Sequence, residues 1–218
     1  MPNLTLSDVT YQYSGAGAPA VTEATCEFNT GLLYAVVGPS GSGKSTLLAL
    51  LAGLDVPTSG NVVFDGENIT GMDLDLYRRK DVAMIFQSFH LFPLLTAIEN
   101  VCYPLELCGV KTRDATPRAK ALLESVGISQ EQMKRFPSKL SGGEQQRVAI
   151  ARSLAAGAKI LLADEPTGNL DIANTKNIMD ILYRLAHDEG YCVIIVTHDL
   201  EIAETADVVY QMRDGALT

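Results

Sequence analysis

Short apolar runs recur along the chain and predict strands that are buried on both faces. Four of these runs are nearly continuous: Leu32–Val37, Val82–Phe86, Ile160–Ala163 and Cys192–Val196. Strands of a parallel sheet covered by helices show this pattern, because neither of their faces meets water. The run Val62–Phe64 differs, because the Asp65-Gly66 pair that follows it favours a tight turn and hence an antiparallel hairpin.

Helical periodicity fills the intervals between these runs. One apolar stripe has the i, i+3, i+4, i+7 spacing of an amphipathic helix: Ile178, Ile181, Leu182 and Leu185. This helix is predicted to end before Gly190. Thr96 and Glu99 have the spacing of a capping box at the start of a second helix. Thr116 is predicted to cap a third helix, with Pro117 at its first position.

The alternation of strands and helices predicts an α/β fold with a mixed, mostly parallel sheet and an antiparallel β part near the N-terminus. The interval from about 88 to 140 holds no strand-like run, which predicts a helical subdomain inserted into the core. Because no repeat or Pro/Gly-rich linker divides residues 1–218, we expect a single domain.

Charge and hydropathy narrow the class of protein. The net charge of −9 disfavours nucleic-acid binding, which needs a basic surface to neutralise phosphates. The longest apolar run, Leu47–Leu54, falls far short of the roughly 20 residues that span a bilayer. The N-terminal stretch Met1–Thr5 lacks the pattern of a signal peptide. We therefore expect a cytosolic protein that reaches a membrane only through a partner.

The strongest chemical signal is one continuous stretch: Gly38, Pro39, Ser40, Gly41, Ser42, Gly43, Lys44, Ser45 and Thr46. It fits G-x-x-x-x-G-K-[ST] between a predicted strand and a predicted helix, where backbone N–H groups and the helix N-terminus surround phosphate. Lys44 can reach the β- and γ-phosphates, and the Ser45 hydroxyl can bind Mg²⁺. We therefore predict a phosphate-loop NTPase core that binds a nucleoside triphosphate.

Two carboxylates follow the apolar run Ile160–Ala163. Parallel sheets bind ligands at the carboxyl ends of their strands, so Asp164 and Glu165 are predicted to lie beside the phosphate loop. Asp164 is then placed to hold Mg²⁺, and Glu165 to polarise the attacking water.

A second anion-binding signal lies upstream of this strand. The residues from Ser141 to Glu144 predict a helix N-terminus, with Ser141 as the N-cap and Glu144 closing a capping box. Gly142 and Gly143 leave room for a phosphate to approach the free N–H groups.

In this order the motifs resemble those of the ATP-binding cassette family, and the resemblance covers essentially the whole chain. The matching elements are Walker A (Gly38–Thr46), the Q-loop (Gln87), the signature (Leu140–Glu144), Walker B (Ile160–Glu165), the D-loop (Gly168–Asp171) and the H-loop (His198). The resemblance implies an ATPase whose two copies pack head to tail when they bind ATP. Each ATP would lie between Walker A of one copy and Ser141, Gly142, Gly143 and Glu144 of the other.

Further roles are implied by the same resemblance. Gln87 would bind ATP and its metal and move with a membrane partner. His198 would contact the γ-phosphate and serve hydrolysis together with Glu165 and Lys44. Asp171 would lie across the dimer interface and help to couple the two sites.

Aromatic residues suggest two further contacts. Adenine is expected to stack on an aromatic side chain of the first strand, where Tyr11 and Tyr13 are both candidates, and alignment with the family favours Tyr13. A groove near Gln87 is expected to receive a helix of the membrane partner, and it is flanked by apolar residues: Phe86, Phe89, Leu91 and Phe92.

The stretches 164–171 and 87–101 resemble cassettes of the macrolide-export and lipoprotein-release type. That branch includes haem exporters, antimicrobial-peptide resistance systems and a cell-division regulator. The resemblance implies separate, integral membrane subunits of the permease type, with the cassette on the cytoplasmic face of the cell membrane. Export and mechanical signalling share these motifs, so the sequence leaves both open. One departure is Leu32 after Gly31, where the family usually has Glu, and it affects no catalytic residue.

Two other classes of protein compete with this interpretation. A cassette that acts on nucleic acid would carry coiled-coil or zinc insertions or a second cassette, whereas this chain has one cassette, no C-x-x-C pair and an acidic balance. A phosphate-loop kinase would leave Ser141–Glu144 and His198 unexplained.

Overall fold

The computed structural model describes residues 3–218. Met1 and Pro2, which begin the stretch that we expect to carry no signal peptide, lie outside the described residues. The strands are β1 (Asn3–Tyr11), β2 (Val21–Asn29), β3 (Leu33–Val37), β4 (Ser59–Phe64), β5 (Glu67–Asn68), β6 (Val82–Ile85), β7 (Ile160–Asp164), β8 (Cys192–Thr197), β9 (Val208–Arg213) and β10 (Ala216–Leu217). The helices are α1 (Lys44–Leu51), α2 (Leu74–Lys80), α3 (Ala97–Leu107), α4 (Thr112–Ser125), α5 (Gly142–Leu154), α6 (Ile172–His187) and α7 (Leu200–Ala203).

A six-stranded sheet in the order β10-β9-β3-β8-β7-β6 forms the centre of the fold. All its neighbouring strands are parallel except β9 and β10. The four apolar runs become the adjacent strands β3, β8, β7 and β6, which confirms the predicted parallel core. Alternate side chains of β3 enter different cores, because Leu33 and Ala35 join one apolar cluster whereas Tyr34 and Val36 join the other.

The N-terminal part forms a separate antiparallel sheet in the order β2-β1-β4-β5, as the sequence predicts. The hairpin between β4 and β5 turns at Asp65 and Gly66, which both have positive φ, at 49° and 85°. Phe28 and Val62 of this sheet pack with Leu47 and Leu48 of α1 in the second apolar cluster. The antiparallel sheet and α1 therefore cover one face of the central sheet.

Between β6 and α5 the described residues form α3, α4 and two 3-10 turns but no strand. Thr96 and Glu99 make the predicted capping box at the start of α3. The prediction that Thr116 caps the next helix, with Pro117 at its first position, is wrong. α4 begins at Thr112 and contains Pro117. Burial of Ala115 favours the longer helix, and a proline this close to a helix N-terminus removes a single backbone hydrogen bond.

The amphipathic helix predicted around Ile178 to Leu185 is α6, which ends at His187, before Gly190. No helix within residues 3–218 is long and apolar enough to cross a membrane. The carboxyl ends of β3, β7 and β8 meet at one edge of the central sheet, and this edge holds the candidate site.

Candidate functional site

The phosphate loop joins β3 to α1 and lies close to two other backbone segments. A Cβ on Gly38 would fall 2.1 Å from the carbonyl oxygen of Met212, and a Cβ on Gly43 would fall 2.2 Å from that of Ala20. Gly43 also has a φ of 107°, in the region that favours glycine. Both positions therefore require glycine, which explains their place in the motif.

The side chain of Lys44 follows the loop and is 7% exposed. Its Nζ donates hydrogen bonds to the carbonyl oxygens of Gly38, at 2.7 Å, and Pro39, at 2.9 Å. The ammonium group thus lies over the loop that would surround the phosphates. Its two acceptors are neutral carbonyls, which a phosphate could replace with stronger, charge-assisted hydrogen bonds.

The Ser45 hydroxyl donates to Oδ1 of Asp164 at 3.1 Å, so the structure brings the two predicted metal ligands together. Burial and the neighbouring Glu165 charge raise the pKa of Asp164, whereas the Ser45 hydrogen bond and the charge of Lys44 act in the opposite direction. A divalent cation at this pair would stabilise the charged carboxylate.

The oxygen ligands fit Mg²⁺, which prefers oxygen and usually keeps several waters and substrate phosphates as ligands. Within residues 3–218 no group of three or more His, Cys, Asp or Glu side chains could hold a metal ion. Ser45 and Asp164 provide two oxygen ligands, which suits a Mg²⁺ whose remaining ligands are waters and the phosphates of a nucleotide.

Glu165 and His198 come directly after two adjacent strands, β7 and β8, and their side chains contact each other. Nδ1 of His198 lies 2.8 Å from Oε1 of Glu165, and the Thr197 hydroxyl donates to Oε2 of Glu165 at 3.4 Å. Glu165 has a φ of 46°, which is unusual for a residue with a side chain. Residues in strained conformations of this kind cluster at functional sites, where the surrounding structure holds them.

Tyr13 and Tyr11 occupy different environments. The Tyr13 hydroxyl lies 3.0 Å from Oγ1 of Thr46, and 47% of the side chain is exposed. Tyr11 packs against the second apolar cluster and meets the Tyr13 ring edge-on, with centroids 4.9 Å apart. Tyr13 is thus the tyrosine beside the phosphate loop.

These elements enclose a cavity of 420 Å³ at the phosphate loop. Its lining comes from three segments: Tyr13 and Ala20, then Ser40, Gly41, Gly43, Lys44, Ser45 and Thr46, and finally Glu165. None of residues 141–144 lines it, although all of them are described. A single chain therefore provides the phosphate loop and Glu165 to this cavity but not the second anion-binding signal.

Gln87 lies at the D-loop rather than at the metal pair. Its Nε2 is 2.9 Å from the position of a Cβ on Gly168, and its carbonyl oxygen accepts a hydrogen bond from Asn169 at 3.2 Å. Across the described residues no hydrogen bond joins the Gln87 side chain to Ser45 or Asp164. The Gln87 side chain thus lies against the D-loop in this structure, and its contact with the metal stays a prediction.

Ser141 is the N-cap of α5, and the capping box with Glu144 is formed. Burial alone would raise the pKa of Glu144, but hydrogen bonds from Ser141 and from Gln132 hold it below its usual value. A Cβ on Gly143 would fall 2.1 Å from Oδ1 of Asn174, so any other residue there would have to displace the Asn174 side chain.

Asn174 also connects the signature to the D-loop. Its backbone N–H and its side-chain amide donate to the two carboxylate oxygens of Asp171, both at 2.8 Å. These hydrogen bonds lower the pKa of Asp171. Asp171 thus caps α6 within its own chain, next to the side chain that packs on Gly143.

A second, apolar groove of 370 Å³ lies behind the Q-loop. Phe86 and Phe92 line it, together with the exposed side chains of Leu54, Tyr103 and Leu107. Two members of the predicted cluster lie elsewhere: Phe89 lies close to the start of α5, and Leu91 packs on the first apolar cluster. We define the docking groove as Leu54, Phe86, Phe92, Tyr103 and Leu107.

Sequence patterns did not indicate every residue at the site. Ala20 reaches the cavity because the antiparallel sheet brings its loop there, and no local pattern predicts that contact. Thr197 could have been inferred from the sequence, because it is the last residue of the apolar strand before His198. In the structure Thr197 is buried and its hydroxyl contacts Glu165.

Comparison with known proteins identifies the family. The model of the ABC transporter family matches residues 21–168. The ABC transporter ATP-binding protein YclH of Bacillus subtilis is 38% identical over 218 residues, which cover all of this chain and 96% of that protein. An ABC transporter ATP-binding protein of Thermotoga maritima is 41% identical over 210 residues, which cover 95% of this chain and 89% of that protein.

Solved structures agree with these relatives. The dimeric structure of MJ0796, a bacterial ABC transporter cassette, is 36% identical, has a TM-score of 0.89 and covers 98% of this chain and 96% of its own. Another dimeric structure of MJ0796, with the same similarity, is a post-hydrolysis state bound to ADP and Pi. CbiO1 from Clostridium perfringens, part of the ABC transporter complex CbiONQ, is 29% identical with a TM-score of 0.90, covering 99% of this chain and 86% of its own.

The family match, the relatives and the fold agree with the motifs that the structure gathers around the phosphate loop. The chain belongs to the ABC transporter family, as an ATP-binding subunit with ATPase activity.

Proposed function

We propose that the chain hydrolyses ATP in a site shared by two copies and that closure of this dimer drives separate membrane subunits. One observation carries the proposal. Residues 141–144 form a helix N-terminus suited to an anion, but they do not line the cavity at the phosphate loop of their own chain. A second copy packed head to tail would supply it. The dimeric structures of the cassette MJ0796, one of them bound to ADP and Pi, support dimer formation.

In this proposal the phosphate loop from Gly38 to Thr46 holds the nucleotide, and Tyr13 stacks on its adenine. Lys44 exchanges its two carbonyl acceptors for the β- and γ-phosphates and stabilises charge during transfer. Ser45 and Asp164, with Gln87 after a movement of its loop, hold Mg²⁺. The ion neutralises charge on the phosphates.

Glu165 acts as the base that orients the attacking water, because its carboxylate lines the cavity and is fixed by two neighbouring side chains. His198 positions that carboxylate and contacts the γ-phosphate. Ser141, Gly142, Gly143 and Glu144 act on the ATP of the other copy, and Asp171 lies across the interface.

The partners in this proposal are integral membrane subunits of the permease type, with the cassette on the cytoplasmic face of the membrane. The docking groove supports them, because its five apolar side chains are exposed or half-buried and line one cavity, which suits the apolar face of an amphipathic helix. The movement that closure of the dimer transmits to these subunits would serve export or mechanical signalling, in the manner of the macrolide-export and lipoprotein-release branch.

Light scattering on the Glu165→Gln chain tests the shared site. This substitution keeps the size of the side chain but slows hydrolysis, so the ATP-bound state accumulates. We expect monomer mass without nucleotide and dimer mass with Mg-ATP. A chain that remains a monomer at saturating ATP would contradict the proposal.

Two further substitutions in the Glu165→Gln chain localise the interface. Ser141→Asp keeps an excellent N-cap but places a negative charge where the partner's phosphate would approach. We expect it to abolish the ATP-dependent dimer without lowering the melting temperature. The matched control, Ser141→Asn, keeps the cap without the charge and is expected to dimerise.

A further inference from the structure

The segment Phe86–Phe92 joins the docking groove to α5, the helix that begins at the signature. Phe86 and Phe92 line the groove, whereas Phe89 and His90 between them have φ values of 60° and 47°. Two successive residues with side chains rarely adopt this left-handed conformation, so the surrounding structure must hold them.

Arg152, near the end of α5, provides that restraint. Its Nη2 donates to the carbonyl oxygen of Phe89 at 3.0 Å, and its Nη1 donates to that of His90 at 2.5 Å. The same guanidinium lies 5.9 Å from the centroid of the Phe92 ring. One planar guanidinium therefore binds both left-handed residues and lies against Phe92, which lines the groove. The single ammonium group of a lysine cannot make all of these contacts.

The Phe89 side chain lies close to the other end of the same helix. Its Cζ lies 3.8 Å from the position of a Cβ on Gly142, the first residue of α5. Gly142 and Arg152 are about 15 Å apart along the helix axis, at 1.5 Å per residue. The segment is thus hydrogen-bonded to α5 at Arg152 and lies close to the signature end of the same helix.

We propose that Arg152 is a positioning residue that couples the docking groove to the signature residues 141–143. When the ATP of a second copy engages the signature, Arg152 transmits the change in conformation to the segment Phe86–Phe92. When a helix binds in the docking groove, Arg152 transmits the change to the signature. Coupling of two sites is reciprocal by thermodynamic necessity. The inference rests on the proposed function, since it requires ATP to engage the signature.

A role in stability alone is the competing explanation, and hydrogen exchange separates the two. We would measure amide exchange of the peptide covering residues 86–96 in the Glu165→Gln chain, with and without Mg-ATP, alongside light scattering. Exchange of this peptide is expected to slow at least about fivefold when the ATP dimer forms, the lower end of typical coupling between sites.

Arg152→Lys in the same chain keeps the charge but cannot bind both carbonyls. We expect it to form the ATP dimer with unchanged mass, while the ATP-dependent change in residues 86–96 disappears. The matched control is Arg79→Lys on the exposed face of α2, which should behave as its parent.

The outcomes are distinguishable. A parent chain that remains monomeric with ATP would overturn the proposed function and this inference with it. A dimer in which residues 86–96 exchange as before, or an Arg152→Lys dimer that keeps the full change, would overturn the role of Arg152 alone.

Discussion

Nδ1 of His198 lies 2.8 Å from Oε1 of Glu165, although the two residues follow different strands, β8 and β7. An ionised carboxylate only accepts hydrogen bonds, so the proton of this contact belongs to the imidazole. His198 and the Thr197 hydroxyl therefore fix both oxygens of Glu165 from one side. A base held in this way is oriented before a substrate arrives.

Replacing Glu165 by Gln should lower the rate of ATP hydrolysis about 100-fold or more, because a positioned base contributes about 10²- to 10⁴-fold. Nucleotide affinity should be preserved, since Lys44 and the loop amides remain. Phosphate release and equilibrium nucleotide binding measure the two effects. Glu204→Gln, at an exposed carboxylate after α7, is the control. Near-normal turnover in Glu165→Gln would remove Glu165 from the role of base.

Tyr13→Ala should weaken ATP binding by about 5- to 160-fold, because stacking of a base on an aromatic ring contributes about 1–3 kcal/mol. Tyr13→Phe keeps the ring and loses only the contact of the hydroxyl with Thr46, so its affinity should stay close to that of the parent. Calorimetric titration with ATP compares the variants. Equal affinity of Tyr13→Ala and Tyr13→Phe would show that the ring does not contact adenine.

Asn100→Ala should lower the free energy of unfolding by about 2–4 kcal/mol, because buried polar groups would lose their partners. Asn100 is fully buried, accepts a hydrogen bond from the Phe92 N–H and donates to the carbonyl oxygens of Phe92, Leu95 and Thr96. Urea denaturation measures the loss, with Asn177→Ala on the exposed surface of α6 as the control. A loss no greater than that of the control would contradict this assignment.

His187 should make stability depend on pH. Burial alone would lower its pKa, but hydrogen bonds to the Tyr183 carbonyl and to Asp207, with the charges of Asp207 and Asp188, raise it above 6.5. A raised pKa means that the imidazolium stabilises the fold fully below pH 6.5 and that this contribution is lost as the pH rises through the native pKa.

The difference in unfolding free energy between the parent and His187→Gln should therefore be largest in mild acid and shrink toward alkaline pH. Chemical denaturation at a series of pH values measures it. In an Asp207→Asn background the pH dependence should weaken. A difference that grows with pH would have the wrong sign for this ion pair.

The central strands could be predicted because β3, β6, β7 and β8 are nearly continuous apolar runs. β9 was not predicted, because Gln211 and Arg213 interrupt its apolar residues and leave no continuous apolar run. It is a strand because it pairs with β3. Tertiary pairing of this kind leaves no signal in a short window of sequence.

The residues of the candidate site also divide into those that the sequence predicts and those that only the fold brings together. The phosphate loop and the pair Asp164 and Glu165 are contiguous in sequence, so their chemistry could be inferred directly. The hydrogen bonds from Arg152 to Phe89 and His90 join residues more than 60 positions apart, and the left-handed conformation that makes them informative exists only in the folded chain. No spacing rule could have indicated them.

The shared site can be tested most directly by mixing two inactive chains. Lys44→Ala damages the phosphate loop but keeps the signature, whereas Ser141→Asp damages the signature but keeps the phosphate loop. Each chain alone should release phosphate at close to the background rate. A one-to-one mixture should release phosphate far faster, at up to about half of the parent rate, because neither damaged chain forms the ATP dimer with itself and each mixed dimer contains one intact site of two. A mixture no faster than the mean of the separate chains would contradict a site built from two copies.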